Sequence, residues 1–318
     1  FEAVASRVRR APKVSVVAHI KPDADAIGSA CALAAGLRKL GTDAQVYIGQ
    51  PLPHSSNMRT IPGVDEILYD QPLPANGLVV TVDCASADRT GSHMPAILSD
   101  PSRVVVIDHH NTNPGFGGMN LIVESESTTV LVRELLGYLG AELDPDIAYG
   151  LYAGLVTDTG SFRWGTPRMH ELAAELMQFG LNTRQIAMDL MDTMGPVDLQ
   201  LMGAVLSKTQ IVPTKGFSLA VLTIPVGIHS RMSQTAVEAI IDYARSLEGT
   251  DVGVVLKEQA PKFWAMSLRS TVVDVSAVAQ RLGGGGHRAA AGYSAAGSRD
   301  AIIRELIDAF PEHPSAHD

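Results

Sequence analysis

The stretch VVAHIKPDADAIGSA, Val16 to Ala30, runs a β-branched apolar segment into His19, Asp23 and Asp25 and out into a small-residue helical pattern. The segment it completes, KVSVVAHI, is nearly unbroken in apolar character, as a strand covered on both faces must be. AIGSACALAAGLRKLG then reads as a helix that stops at Gly41. The pattern repeats: DAQVYIG, EILY, GLVVTVDC and RVVVIDHH are further strands, and STTVLVRELLGYLG, PDIAYGLYAGLVTDTG and RMHELAAELMQFG are helices. Strands alternating with helices predict an α/β fold built on a doubly wound, mainly parallel sheet.

Farther along, PVDLQLMGAVLSKTQIV reads as a long helix connecting two domains, and the pattern restarts. FSLAVLTI is a strand, TAVEAIIDYARSLEG a helix, and DVGVVLKEQ and KFWAMSLRS an antiparallel pair; DVSAVAQRLGGGGHRAAAGYS and a helix near RDAIIRELIDAF close the chain. At 318 residues two domains are the default. The expected layout is a sheet domain over 1–192, a helical linker over 193–213 and a smaller mixed-sheet α/β domain over 214–318.

Composition narrows the class. With 46% hydrophobic and 19% charged residues the chain is globular and not disordered. A net charge of −9 makes it a poor non-specific binder of long nucleic acid, so a phosphate substrate must find positive charge in metal ions or in a few placed Arg and His. Cys31 and Cys84 sit in apolar contexts and read as buried free thiols of a reducing compartment. No apolar run is long enough to span a bilayer, and FEAVASRVRR lacks a signal-peptide core, so the cytoplasm is the simplest address and no membrane partner is expected. The chain opens on Phe1 and not on an initiator methionine, which points to leading residues outside this sequence. The tail PEHPSAHD reads as frayed, with His313 and His317 outside any ligand set.

In a doubly wound sheet, ligands bind beyond the carboxyl ends of the strands. Those ends carry His19, Asp23 and Asp25, then Asp83, then Asp108, His109 and His110, while Asp158 lies near the end of a helix. Carboxylates gathered this closely force protons onto one another unless a cation joins them. Divalent ions sharing carboxylates are the simplest answer. Mixed imidazole and carboxylate donors point away from Mg²⁺ and Ca²⁺ and suit Mn²⁺, with Fe²⁺, Co²⁺ and Zn²⁺ open. Pro22 stiffens the turn that aims the two Asp, and Gly28 is expected to let the following helix approach the sheet. Each piece alone has a plainer reading: Asp23 or Asp25 as a helix cap, Asp83 as the strand end of any nucleotide fold, His109 and His110 as core or surface residues, Asp158 as part of a turn. Together they describe a metal-dependent α/β enzyme acting on phosphate. In GGGG a phosphate can approach the backbone N–H groups, with His287 and Arg288 as polar partners, although a bare glycine run is more often a turn before a helix. Of the two tryptophans, Trp164 and Trp264, one could stack on a base; packing is the commoner fate.

HIKPDADAIGS, VDCAS, VIDHH and GLVTDTGSF stand in the order and approximate spacing of the four motifs of the DHH phosphoesterases. GGGGHRAAAG, Gly283 to Gly292, with SLRS before it, is similar to the DHHA1 signature. The chain thus resembles the DHH/DHHA1 family, and its length and layout resemble the nanoRNase (oligoribonuclease)/pAp phosphatase branch. The resemblance implies hydrolysis of short RNA to mononucleotides and of 3′-phosphoadenosine 5′-phosphate (pAp) to AMP, with cyclic di-AMP or its linear product pApA as further substrates. It implies two divalent ions, Mn²⁺ first among them, held by His19, Asp23, Asp25, Asp83, His109 and Asp158, with Asp83 bridging. Asp108 would orient the histidines and His110 would stand near the scissile phosphate. Arg269 and His287 would hold the substrate's phosphate or base, beside Gly285, Gly286 and Arg288. The first domain would cut and the second would grip. A homodimer is the family habit. An inorganic pyrophosphatase or polyphosphatase of the same chemistry, a nucleotide-binding sensor without catalysis and a single-strand DNA exonuclease are the competing expectations.

Overall fold

Val14, Val16 and Ala18 of the first strand are buried in one apolar cluster and Val17 in another, so both faces of that strand are covered. A computed structural model describes residues 1–312; His313 and His317 lie outside the described residues. The chain packs as two units, Phe1–Thr193 and Met194–Asp318.

The first unit runs α1 Glu2–Arg9, β1 Lys13–Ala18, α2 Ala24–Lys39, β2 Asp43–Ile48, β3 Leu68–Tyr69, β4 Leu78–Val82, α3 Met94–Ser99 and β5 Val104–Asp108. It continues through β6 Met119–Ile122, α4 Thr128–Leu139, α5 Pro145–Asp158, α6 Pro167–Met177 and α7 Thr183–Ala187. The strands form one sheet in the order β3-β2-β1-β4-β5-β6, every pair parallel. The chain winds outward from β1 in one direction and from β4 in the other, so the switch point lies between β1 and β4, where such sheets bind ligands. On one face Val16, Val80, Val82, Val105 and Ile107 meet the helices; on the other Val17 meets Val79, Ile97 and Val106.

Helix α2 is buried along nearly its whole length, which its small residues permit. Gly28 serves a different contact from the one expected. A Cβ there would come within 2.2 Å of Gly150 O in α5, so this glycine brings helix onto helix and not helix onto sheet.

The second unit comprises α8 Pro196–Leu206, β7 Gln210–Thr214, β8 Phe217–Ile224, α9 Val226–His229, α10 Gln234–Arg245 and β9 Val252–Ala260. After these come β10 Phe263–Arg269, α11 Val275–Arg281, β11 Gly285–His287, β12 Ala290–Ala296 and α12 Arg299–Ala309. Its sheet, in the order β11-β12-β10-β9-β8-β7, is mixed: β8 and β9 are parallel and the remaining pairs antiparallel. The expected long helix PVDLQLMGAVLSKTQIV is shorter than its pattern suggested. It ends at Leu206, and Gln210–Thr214 pairs as an edge strand whose β-branched residues and Pro213 suit that place. Met202 and Val205 of α8 are buried with Leu222 of β8 and Ile240 of α10, so this helix contributes to the core of the second unit. Trp264 is also core: it is 5% exposed, and its indole N–H donates to Gly297 O at 3.1 Å, which removes it as a base-stacking surface. Cys31 and Cys84 are free and buried. Among the described residues no helix is long and apolar enough to cross a membrane.

Candidate metal centre

Three neighbouring strands end side by side: β1 delivers His19, β4 delivers Asp83, and β5 ends at Asp108 before His109 and His110. The N-terminus of α2 adds Asp23 and Asp25, and the last residue of α5 is Asp158. His19 Nε2 lies 3.6 Å from Asp23 Oδ2 and 3.5 Å from Asp83 Oδ2. His109 Nε2 lies 3.5 Å from Asp83 Oδ1, 3.9 Å from Asp25 Oδ2 and 3.3 Å from Asp158 Oδ2. Three sets of side chains with converging donor atoms result in this unit, His19–Asp23–Asp83, Asp25–Asp83–His109 and Asp83–Asp108–His110, and all share Asp83. The first two could each hold a metal ion; in the third, Asp108 and His110 are already bonded to one another.

The tautomers fit that use. His19 Nδ1 is 2.9 Å from the Ile20 carbonyl and His109 Nδ1 is 3.1 Å from the Ser125 carbonyl. A carbonyl accepts only, so a proton at Nδ1 has a partner in each ring, and a ring that loses its other proton turns the Nε2 lone pair into the cluster. Arg89 Nη2 also stands 3.0 Å from His19 Nδ1; a guanidinium only donates, so Arg89 and the Ile20 carbonyl compete for opposite roles of that nitrogen. Asp83 has a left-handed backbone, φ 57°, which costs about 1 kcal/mol or more outside glycine and directs its two carboxylate oxygens toward the two imidazoles.

The plain reading of the two neighbouring acids is true and compatible with the chemical one. Asp23 caps its own helix, accepting from the Ala26 N–H through Oδ1 at 3.0 Å, while Oδ2 faces His19. Asp25 caps a different helix: the Thr128 and Thr129 N–H groups at the start of α4 donate to its two oxygens at 2.7 and 2.9 Å. The Thr128 hydroxyl donates to Asp83 Oδ1 at 3.1 Å. Asp108, fully buried, receives His110 Nδ1–H at 2.8 Å and the Asn113 amide at 2.6 Å. That places His110 Nε2 on the ring edge opposite Asp108.

Proton affinities show how strongly the cluster calls for positive charge. Burial, with the Asp83 charge beside it, pushes Asp25 up to about 7. Burial and the Asp25 charge push Asp158 well above the usual carboxylate range. Burial opposes the charging of His19, as does Arg89, yet Asp23 and Asp83 raise it to about 10. For His109 burial is likewise outweighed, here by Asp83 and Asp158, and its value rises. Asp83 is held well below its ordinary value by His109 and His19 in spite of burial. A divalent cation is the charge that would take the place of these protons.

In the second unit, Arg269 ends β10 and its guanidinium donates to the Leu268 carbonyl at 3.1 Å. Gly285, Gly286 and His287 form the edge strand β11, paired with Gly292, Ala291 and Ala290. The glycine run is therefore part of a hairpin and not a turn before a helix. At Gly286, φ 138°, a Cβ would come within 2.5 Å of Ala290 O, so the close strand approach itself demands glycine. Arg288 is largely exposed, 4.0 Å from Asp274.

Several supporting residues carried no signal of their own in the sequence: Thr128 and Thr129, which hold Asp25, Asn113, which holds Asp108, and Arg89 behind His19. Gly154 is another. A Cβ there would stand 2.5 Å from Asp25 Oδ1 and 2.5 Å from Thr129 Cγ2. Gly154→Ala is expected to displace Asp25, to cost about 1–3 kcal/mol of stability and to weaken Mn²⁺ affinity. Calorimetric unfolding and Mn²⁺ titration measure the two; unchanged affinity would remove Gly154 from the support of the site.

Comparison with known proteins gives the family. The model of the DHH family, N-terminal domain, matches residues 13–155, and that of the DHHA1 domain matches residues 216–312. The chain is 31% identical over 310 residues to the bifunctional oligoribonuclease and PAP phosphatase NrnA of Thermus thermophilus, covering 94% of this chain and 89% of the relative. It is 26% identical over 309 residues to the protein of the same name from Bacillus subtilis, covering 93% and 94%. Among solved structures, an exopolyphosphatase-related protein from Bacteroides fragilis superposes with a TM-score of 0.82 at 22% identity, covering 97% of this chain and 94% of that one, a likeness of fold.

Proposed function

The chain belongs to the DHH/DHHA1 family of phosphoesterases, and from that premise we infer that it hydrolyses short oligoribonucleotides to mononucleotides and pAp to AMP. The observation that carries this reading is the pair of imidazoles, each tied through Nδ1 to a carbonyl, whose Nε2 atoms converge on opposite oxygens of Asp83. The relatives' names supply the substrate class. His19, Asp23 and Asp83 would hold one divalent ion, and Asp25, Asp83, His109 and Asp158 the other, with Mn²⁺ the ion this donor set suits best. Bound there, such ions supply neutralisation of phosphoryl charge and a lowered pKa for a nearby water.

The rest is work for the chain's own groups. Asp108 fixes the orientation of His110 through Nδ1–H, so that Nε2 is the atom turned to the substrate and, when the ring is protonated there as well, donates to a phosphoryl oxygen. Asn113 holds the second oxygen of Asp108 and keeps that carboxylate from turning toward the cluster. Cys84 takes no part: burial pushes its thiol far above the ordinary range, and it packs against the Val17 and Val82 carbonyls. No covalent intermediate is needed.

Turnover of pAp, di- to tetraribonucleotides, cyclic di-AMP, pApA and inorganic pyrophosphate in Mn²⁺ tests the reading. Release of AMP from pAp and from the shortest RNAs is the expected result. Faster turnover of pyrophosphate would move the chain to the pyrophosphatases, and binding of nucleotides without AMP release would make it a sensor. Arg269→Ala is expected to raise KM for pAp about tenfold with kcat little changed, the mark of a binding residue. An equal fall in kcat at constant KM would place Arg269 in the chemistry instead.

A further inference from the structure

The turn that follows α5 has a construction that the hydrolytic roles leave unused. Gly160, Ser161 and Phe162 all have left-handed backbone, at φ 56°, 62° and 62°, a strained choice for serine and more so for phenylalanine. Hydrogen bonds enforce it: Ser161 N–H donates to Val156 O at 2.8 Å, Phe162 N–H to Thr159 Oγ1 at 3.0 Å and Arg163 N–H to Thr159 O at 2.9 Å. The turn folds Trp164 back onto the residue where the helix ends. The indole N–H donates to the Asp158 carbonyl at 2.7 Å. The ring lies over Gly160 so closely that a Cβ there would come within 2.1 Å of it. The Arg163 guanidinium stands 5.1 Å from the ring centroid and is itself anchored, with Nε donating to Gly160 O at 2.5 Å.

A brace for the helix end would gain most by burying its indole, yet Trp164 keeps 42% of its surface exposed. The side chain of Asp158, whose carbonyl holds the indole N–H, faces His109 Nε2 at 3.3 Å. An aromatic ring pinned at its edge, with a guanidinium over it and the candidate metal centre one residue away, is built to receive another planar π-system. We propose that Arg163 and Trp164 form the platform on which the nucleobase of the substrate stacks. The ligand class is a nucleotide whose phosphate reaches the Asp83 cluster. This rests on the phosphoesterase reading and deepens it, for it gives base recognition to side chains of the first unit.

The chain has two tryptophans, and the second is buried, so fluorescence excited at the red edge of indole absorption isolates Trp164 in a Trp264→Phe protein. AMP is expected to quench that emission saturably, and ribose 5-phosphate is not. If Trp264→Phe does not fold, the unsubstituted chain read against Trp164→Leu gives the same difference. In kinetics, Trp164→Leu is expected to raise KM for pAp by about 5- to 100-fold, the loss of one base–aromatic stack. The abasic analogue of pAp should show no such rise. Absence of AMP quenching in a protein that turns over pAp, or an equal KM rise with the abasic analogue, overturns the platform and leaves Trp164 a brace. Failure of the unsubstituted protein to turn over pAp overturns the phosphoesterase reading instead, so the two failures are distinct.

Discussion

Asp83→Ala is expected to abolish hydrolysis of every substrate, with kcat falling by roughly 10³-fold or more. The size follows from the position. Removing one hydrogen-bond donor to a developing charge costs about 10²–10³ in rate. Asp83 is the side chain common to both candidate ion sets, and its two oxygens stand 3.5 Å from His19 Nε2 and 3.5 Å from His109 Nε2. Its loss dismantles both sets at once. Asp23→Ala, by contrast, removes a half-exposed group from one set and a cap from α2, and should leave measurable turnover. Inductively coupled plasma mass spectrometry of the purified Asp83→Ala protein should show the bound Mn²⁺ lost, and circular dichroism should show the fold kept. His109→Ala is expected to behave in the same way. Near-normal turnover by Asp83→Ala would end the shared-ligand reading.

What the sequence made legible has a physical reason. A parallel strand covered on both faces is an apolar run, and polar residues gather where it ends; His19, Asp83 and Asp108 announce themselves that way, with His109 next to the last. Adjacent ends then follow from the doubly wound topology. The support of the site was illegible because it is not local. The Thr128 N–H that holds Asp25 is 103 residues away in sequence. In the structure Ser127, at the N-cap, makes no side-chain cap bond, and Asp25 supplies the carboxylate from α2. Gly154 is a helix-interior glycine of no particular promise until Asp25 is seen beside it. The edge strand Gln210–Thr214 was absorbed into a helix because the apolar periodicity of α8 runs on into it, although Pro213 argued for an edge.

The stabilisation conferred by Mn²⁺ is expected to grow with pH between about 5.5 and 8, and chelation by EDTA to remove both it and the activity. The sign comes from the protons the cluster holds. Asp25, raised to about 7, binds more protons in the folded chain than in the unfolded one between its ordinary value of 3.8 and about 7. Its contribution to stability therefore declines as pH rises through that window and is level above it. Asp158 is shifted the same way. His19, raised to about 10, stabilises fully below its ordinary value of 6.5 and loses that contribution as pH climbs through 10. Asp83, held low, contributes stability above 3.8 and has no slope in the range tested. Asp25 and His19 thus make the metal-free fold less stable toward the alkaline end of this range, and Asp158 and His109 are shifted in the same direction. Each must also shed a proton before it can donate to an ion, so affinity for Mn²⁺ rises over the same range. At 100 times the dissociation constant a ligand adds about 2.7 kcal/mol, or roughly 5–10 °C in Tm for a unit of this size. Scanning calorimetry with Mn²⁺ and with EDTA at pH 5.5, 6.5, 7.5 and 8 reads the gap directly. A gap that is flat or closes toward pH 8 would mean that the ion, if it binds, does so away from Asp25, Asp158 and His19. The Asp83→Ala protein, carried through the same scans, should show no gap at any pH, because the residue that links both ion sets is gone.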